Sequence, residues 1–287
     1  MAGLRPGQGC YAALVNAKAK MQADLNIYRL ENELILDFES SLLETVTARL
    51  ESHLVADRVE LVDASPHFGL LSLQGPKTTE ALESVGHKLP DELFAHTQVT
   101  QNELGEWYLM RNDRLGQVGC DLYIPTAYLP GAAKRLAKAV AGQGGGLAGW
   151  EAIEIARIES GIPRFGSDMD QNTLPPEAIL ESRAISYTKG CYIGQEIIAR
   201  IRTYGKVNRT LVGYRLDDEL AKTATLGTKL VDDTGKAVAT ITSVAHSHAH
   251  GPIALGLAKR THAELGQVLT AESPATGQAT VASLPFS

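Results

Sequence analysis

The chain carries the stretch Lys189-Gly190-Cys191-Tyr192-Ile193-Gly194-Gln195-Glu196, its densest concentration of chemically suggestive residues. Two glycines bracket a thiol, and apolar Ile197, Ile198 and Ile201 follow at helical spacing. The thiol therefore belongs in a loop or first turn at a helix N-terminus. Such a position, with Lys189 adding positive charge, lowers a thiol pKa and favours thiolate, the nucleophilic and metal-ligating form. The competing reading makes Cys191 a small buried residue filling a tight turn. Spacing alone leaves both open.

Downstream of this stretch the pattern changes. Short β-rich runs, Thr210 to Leu216, Lys229 to Val231, Ala237 to Val244 and Ile253 to Lys259, follow one another with a turn signal at Asp233-Thr234-Gly235. They read as a small antiparallel β-barrel forming its own domain over residues 206–287. Upstream, residues 1–205 mix strand and helix signals in α+β order. The apolar stretch Leu34 to Phe38 leads into Ser41-Leu42-Leu43-Glu44, a capping-box pattern that predicts a helix to about Leu54. Gly75-Pro76 opens a second helix stopped by Gly86, with Pro76 at its first position. Trp107 to Met110 and Val118 to Ile124 predict strands flanking a polar turn at Arg111 to Arg114. Ala132 to Ala141 and Trp150 to Ser160 predict two further helices, the second largely apolar and stopped by Gly161 and Pro163.

The bulk properties narrow the function classes. With 287 residues, 44% hydrophobic and 21% charged, the chain has ordinary globular composition for about two domains. A net charge of -6 disfavours a surface that is wholly a nucleic-acid footprint, though not a local basic patch. Cys10, in an unstructured-looking Gly-Gln-Gly-Cys stretch, Cys120 and Cys191 are odd in number and widely spaced, with no C-x-x-C pair, so disulfides are disfavoured and a reducing compartment is expected. No secretory h-region or 18-residue apolar run occurs, which predicts a soluble cytoplasmic protein with no membrane association.

The string K-G-C-Y-x-G-Q-E resembles the signature of the YgfZ branch of folate-binding proteins, in the superfamily of the glycine cleavage T-protein. T-proteins have a related segment without the cysteine, so Cys191 separates the two branches. The resemblance extends across most of the chain. Arg157-x-Glu159-x-Gly161-x-Pro163-x-x-Gly166, followed by Pro175-Pro176-Glu177, is similar to the T-protein segment running from a buried helix into the folate pocket wall. Arg114-x-Gly116-x-x-Gly119-x-Asp121 is similar to the family's Arg-x-Gly-x-x-Gly strand region, where an acidic residue meets the pterin ring. Tyr11-x-x-x-x-Asn16 and Asp24 are similar to elements that precede and end the first pocket strand. Two departures stand out: T-proteins carry Tyr-Thr where this chain has Gln117-Val118, and paired aspartates where it has Ala23-Asp24. Family members also carry a leading segment before the Tyr11 region.

The resemblance implies an α+β, T-protein-like folate-binding body with a C-terminal antiparallel β-barrel. It implies non-covalent tetrahydrofolate, held by Asp121, Arg114, Asn16, Tyr11, Asp24 and Glu177, with Cys191 and Lys189 as the reactive pair. It also implies a role in assembling or repairing iron-sulfur clusters, with client or assembly proteins as partners. The alternatives are a folate-dependent one-carbon transferase of the aminomethyltransferase kind and an RNA-interacting protein related to tRNA modification. The pterin chemistry suits Asp121, since a pterin presents an amino group and a ring N–H side by side and a carboxylate accepts both. An exposed strand Asp121 is the plainer account, as is pairing of Arg114 with Asp113.

Two further features are ambiguous. Between Ile197 and Leu216 there is no Asp or Glu, whereas Arg200, Arg202, Lys206, Arg209 and Arg215 fall there. That stretch is either an anion-attracting surface, for a folate glutamate tail or an RNA backbone, or a solvated face. His246, His248 and His250 alternate, but adjoin Gly251-Pro252 without a supporting Cys, Asp or Glu, so a polar loop accounts for them better than a metal site.

Overall fold

A computed structural model describes residues 3–56, 58–101, 105–205 and 207–287. The chain divides into two compact units, residues 1–11 with 25–149, and residues 12–24 with 150–287. The divisions at Tyr11/Ala12 and Asp24/Leu25 fall inside the first two strands, β1 (Gly9–Val15) and β2 (Met21–Arg29). With β3 (Leu34–Asp37) these form a three-stranded sheet in sequence order. In β2, Met21, Ala23, Leu25 and Ile27 are buried, alternating with half-buried Gln22, Asp24 and Asn26, as expected for a strand with one face on a core.

The first unit continues with α1 (Leu43–Glu51), β4 (Phe68–Gln74), α2 (Thr78–Ser84), β5 (His96–Gln101), β6 (Gly105–Arg111), β7 (Gly119–Pro125) and α3 (Leu129–Gly142). Its antiparallel sheet has the order β4-β7-β6-β5. Leu73, Trp107, Leu109, Cys120, Leu122 and Ile124 pack on Ala81, Leu82 and Val85 of the α2 segment and on Ala132, Leu136 and Ala139 of α3. One sheet face is thus sealed by helices, and alternate residues populate the other.

The second unit holds α4 (Trp150–Glu159), α5 (Glu181–Ala184), α6 (Gln195–Tyr204), β8 (Arg209–Leu216), α7 (Leu220–Thr223), β9 (Lys229–Val231), β10 (Ala237–Ser247), β11 (Gly251–Lys259), β12 (Val268–Ala271) and β13 (Gln278–Ala282). The six strands close into a barrel in the order β10-β11-β8-β13-β12-β9, which removes every sheet edge. Tyr214, Leu230, Ile241, Leu269 and Val281 are among the residues of its core. Ile158 of α4 packs on Leu211, Ile253, Leu255 and Phe286. Arg157 fixes α4 further, donating to Asp168 at 2.8 Å, to Ser243 at 2.8 Å and to Glu154 at 2.6 Å.

The α+β body and the closed C-terminal barrel match the expected fold, and the four anticipated barrel runs are β8 to β11. Three local expectations need correction. Ser41 does not cap a helix: it lies in a 3-10 turn, Ser40–Leu42, that runs directly into α1 without a side-chain cap bond. Pro76 precedes α2, whose N-cap is Lys77, because Thr78 N bonds back to Gly75 O and closes a turn first. Cys10, which looks unstructured among glycines, lies in β1. Among the described residues no helix is long and apolar enough to cross a membrane.

Candidate functional site

The open face of the first unit's sheet carries a charged cluster. Alternation along β7 sends Cys120, Leu122 and Ile124 into the helical core and Asp121 and Tyr123 to the opposite face. Register places Ser72 opposite Asp121, and Leu70 and Tyr108 opposite Tyr123. The Asp121 carboxylate is wholly inaccessible and accepts three hydrogen bonds: from Ser72 Oγ at 2.8 Å, Asn112 Nδ2 at 2.7 Å and Arg114 Nε at 2.7 Å. The Arg114 guanidinium also donates to Asp37 Oδ2 at 2.5 Å, and Asn26 Nδ2 donates to the same oxygen from the paired strand at 2.9 Å. Arg111, not Arg114, takes Asp113, at 2.8 Å.

These charges form a graded series. Side-chain exposure rises from 0% at Asp121 through 15% at Asp37 to 32% at Arg114, so the groups that meet solvent are the arginine and the second aspartate. Burial, reinforced by the neighbouring Asp37, pushes the Asp121 carboxyl upward against the opposing pull of Arg114. Burial works against the charge of Arg114, yet the two carboxylates beside it hold the guanidinium well above its ordinary range. A Cβ at Gly119 would sit 2.1 Å from the tip of the Gln74 side chain, so a larger residue there would displace Gln74. Gln74 Nε2 in turn donates to Ser72 Oγ at 3.0 Å and Asn112 O at 2.9 Å, positioning two of the groups that hold Asp121.

The second unit gathers another set of the nominated residues. Asn16 Oδ1 accepts from the backbone N–H of Lys18 at 2.9 Å and Lys20 at 3.1 Å, capping the turn between β1 and β2. The glycine after the cysteine motif docks on this turn. Gly194 is the N-cap of α6 at φ 82°, and a Cβ on it would lie 2.9 Å from Asn16 O and 3.0 Å from Ala19 Cα. Two segments far apart in sequence, the turn at Asn16 to Ala19 and the loop at Gly194, thus meet through a position that only glycine fills comfortably. Cys191 is exposed in the loop ahead of α6, and Lys189 Nζ sits 4.9 Å above the Tyr192 ring. Glu177 is buried, accepting from Leu174 N at 2.8 Å and Arg209 Nε at 3.0 Å. Tyr11 on β1 and Asp24 on β2 are half-buried.

The basic stretch is dispersed. Arg209 pairs with Glu177, Arg215 donates to His250 O at 3.1 Å and Ser287 O at 2.8 Å, and Arg202 stacks on Tyr187 at 3.9 Å. Arg200 is exposed, and Lys206 lies outside the described residues. His246 is the penultimate residue of β10, whereas His248 and His250 lie in the following turn, with the His250 ring 6.1 Å from Phe286. Asp37, Asn26, Asn112 and Tyr28 escaped sequence reasoning; an Asp closing the apolar run Leu34-Ile35-Leu36 was the available signal.

Comparison with known proteins gives concordant results. Residues 1–189 match the GCVT N-terminal domain, and residues 209–287 match the glycine cleavage T-protein C-terminal barrel domain. The aminomethyltransferase of Saccharopolyspora erythraea is 27% identical over 285 residues, covering 98% of this chain and 77% of that protein. The aminomethyltransferase of a Nostoc species is 28% identical over 279 residues, covering 94% and 72%. The crystal structure of glycine cleavage system aminomethyltransferase T from Bartonella henselae superposes with a TM-score of 0.85 at 23% identity, over 100% of this chain and 78% of that one. That likeness concerns the fold. Two successive family matches spanning body and barrel establish that the chain belongs to the glycine cleavage T-protein superfamily.

Proposed function

We propose that this protein binds tetrahydrofolate on the open face of the β4-β7-β6-β5 sheet and belongs to the YgfZ-type branch, acting as an accessory factor in iron-sulfur cluster assembly or repair. The observation that carries the folate reading is the Arg114 guanidinium, clamped by an inaccessible aspartate and leading to a partly accessible one. A pterin offers adjacent N–H donors and a carbonyl acceptor, which suit a carboxylate and a fixed guanidinium in a low-dielectric setting. In this reading Asp121 acts through Arg114, while Arg114 and Asp37 touch the ligand. Tyr11 is a further contact, and Asn16 and Glu177 hold the turns of the second unit.

Cys191 supports the branch assignment, since its exposed loop is anchored by Gly194 and leaves the thiol available to a client protein. The names of the relatives favour a second reading, aminomethyl transfer to tetrahydrofolate. Against it stand Ala23 and Gln117-Val118, which supply neither the carboxylate nor the Tyr-Thr pair of T-proteins.

Calorimetric titration with tetrahydrofolate tests the site. Arg114→Ala should weaken binding roughly tenfold to a hundredfold, the loss expected for a hydrogen bond to a charged group; unchanged affinity removes the assignment. An assay with lipoyl-bound aminomethyl carrier separates the two readings, and turnover on the order of 1 per second would favour the transferase. The accessory role requires that Cys191→Ser fail to support iron-sulfur enzymes in a strain lacking the protein.

A further inference from the structure

The sheet face that carries Asp121 also carries the hydroxyl of Tyr123. Tyr123 follows Asp121 by two residues on β7, so its ring projects on the same side, opposite Leu70 and Tyr108 on the flanking strands. Its hydroxyl is enclosed by protein and has no hydrogen-bond partner among the described residues. The members of the charged cluster are engaged, and Gln74 Oε1 is the other buried side-chain atom on this face without a partner among the described residues. Ser72, Asn112 and Arg114 donate to Asp121; Arg114 and Asn26 donate to Asp37; and Asn112 Nδ2 also reaches Tyr28 Oη at 3.3 Å. The Tyr28 and Tyr123 rings meet edge to face at 6.4 Å, which fixes the Tyr123 ring beside this network without satisfying its hydroxyl.

A buried hydroxyl without a partner destabilises a fold, and phenylalanine would fill the same space without that penalty. The hydroxyl therefore needs an explanation outside the fold itself. Its chemistry is constrained by its neighbours. Burial first, and then the Asp37 and Asp121 carboxylates, hold the phenol well above its ordinary range, so it is protonated at any physiological pH and offers a donor. Asp37 and Arg114, within electrostatic reach of the same hydroxyl, are the accessible members of the network. A neutral donor near an anionic acceptor is complementary to a ligand edge that presents an acceptor beside a donor.

We infer that the Tyr123 hydroxyl contacts the ligand and, with the Asp37 carboxylate, selects a heterocycle carrying a ring carbonyl next to an N–H. In this arrangement Asp37 accepts the N–H and Tyr123 donates to the carbonyl. The inference rests on the folate reading and sharpens it, because the 4-oxo pterin has this lactam edge. The corresponding 2,4-diaminopteridine has an amino group where the carbonyl would be, and so would set a donor against the Tyr123 donor. A site built around a fixed donor discriminates against such an analogue, whereas a pocket that recognises only ring shape does not.

The test is Tyr123→Phe, titrated calorimetrically in parallel with the wild-type protein against tetrahydrofolate and against its 2,4-diamino analogue. The wild-type protein should prefer tetrahydrofolate by about tenfold or more. The variant should bind tetrahydrofolate about threefold to tenfold more weakly, as expected for one lost hydrogen bond, and hold the diamino analogue at least as tightly as before. The preference then collapses. Without ligand, the thermal midpoint of the variant should be unchanged or raised, because no native hydrogen bond is removed. If the wild-type protein binds tetrahydrofolate and the variant keeps the same preference, the inference is overturned while the folate reading stands. A wild-type protein that binds neither ligand overturns both. A marked fall in the variant's midpoint overturns the inference too, by giving the hydroxyl a structural role.

Discussion

Removing the Asp121 carboxylate should destabilise the first unit, and the structure sets the scale. Asp121→Ala deletes an inaccessible acceptor of three hydrogen bonds, leaving Ser72 and Asn112 without their shortest partner and Arg114 without one of its two carboxylates. Breaking a fully buried ion pair costs about 3–5 kcal/mol, chiefly because the abandoned charge has nowhere to go. Here the abandoned charge is only partly stranded, since Arg114 keeps Asp37 and is 32% exposed. Asn112 likewise keeps Tyr28. The expected loss is therefore about 2–4 kcal/mol, or roughly 4–15 °C in Tm for a unit of this size. Trp107, 1% exposed in the same unit's core, provides the reporter: its emission on urea unfolding should show the lowered midpoint. Arg114→Ala gives an independent signature. It leaves the carboxylate buried without its cation, so the folded-state pKa of Asp121 rises further above the unfolded value. The stability of that variant should be retained at low pH and lost as pH rises through the folded pKa, whereas Asp121→Ala should lack this dependence. An Asp121→Ala midpoint within about 1 kcal/mol of wild type would refute the reasoning, because a carboxylate so enclosed cannot be energetically silent.

In the second unit, Asp168 accepts from Arg157, the Arg164 backbone N–H, Thr242 and Ser243, so Asp168→Ala should cost about 3–5 kcal/mol; faster hydrogen exchange of the α4 amides would report it, and unchanged protection would count against a role in docking α4. Burial, aided by Arg135, lowers the pKa of His87, and burial lowers that of His96 despite its bond to Arg29 O. A histidine with a depressed folded pKa contributes stability present above its unfolded value, near 6.5, and lost as pH falls toward the folded one. The Trp107 unfolding midpoint should accordingly fall between pH 7 and pH 5.5, and His87→Phe, which keeps the packing on Trp107, should reduce that fall.

The legible parts of this fold were those whose signal is local. Runs such as Thr210 to Leu216 and Ile253 to Lys259 announce barrel strands because several large apolar residues crowd into seven positions. β12 and β13 close the same barrel with Val-Leu-Thr-Ala and Gln-Ala-Thr-Val-Ala, segments too short and too rich in small residues to stand out. β2, by contrast, carries its own signal, because Met21, Ala23, Leu25 and Ile27 alternate with Gln22, Asp24 and Asn26. The same boundary applies to the site. Arg114 and Asp121 fall in one recognisable motif, whereas the Arg114 to Asp37 pair joins residues 77 apart and has no local signature. Asn112 sits among charged turn residues, and only register reveals that its amide points at Asp121. The serine at position 41 shows the converse, where a complete capping pattern yields to a 3-10 turn that starts the helix one step later.

The arrangement of β7 ties the site to the core. Because side chains alternate with a period of two, the residues that bury Cys120, Leu122 and Ile124 against α2 and α3 necessarily deliver Asp121 and Tyr123 to the other face. A one-residue slip would drive a carboxylate and a phenol into the helical core and bring three apolar residues out, a cost far above the few kcal/mol of any single contact. The apolar half of the strand therefore fixes the register of the charged half without touching it. Chemistry at the cysteines divides along the same line. Burial and the adjacent Asp121 push the Cys120 thiol up to about 12, which withholds it from reaction although it neighbours the cluster in sequence. Cys191, exposed on a loop anchored by Gly194, has no such enclosure. Alkylation by iodoacetamide, followed at each cysteine by mass spectrometry, should modify Cys191 first and Cys120 last in the native protein, and the reverse order would mean that the core side of β7 is not sealed.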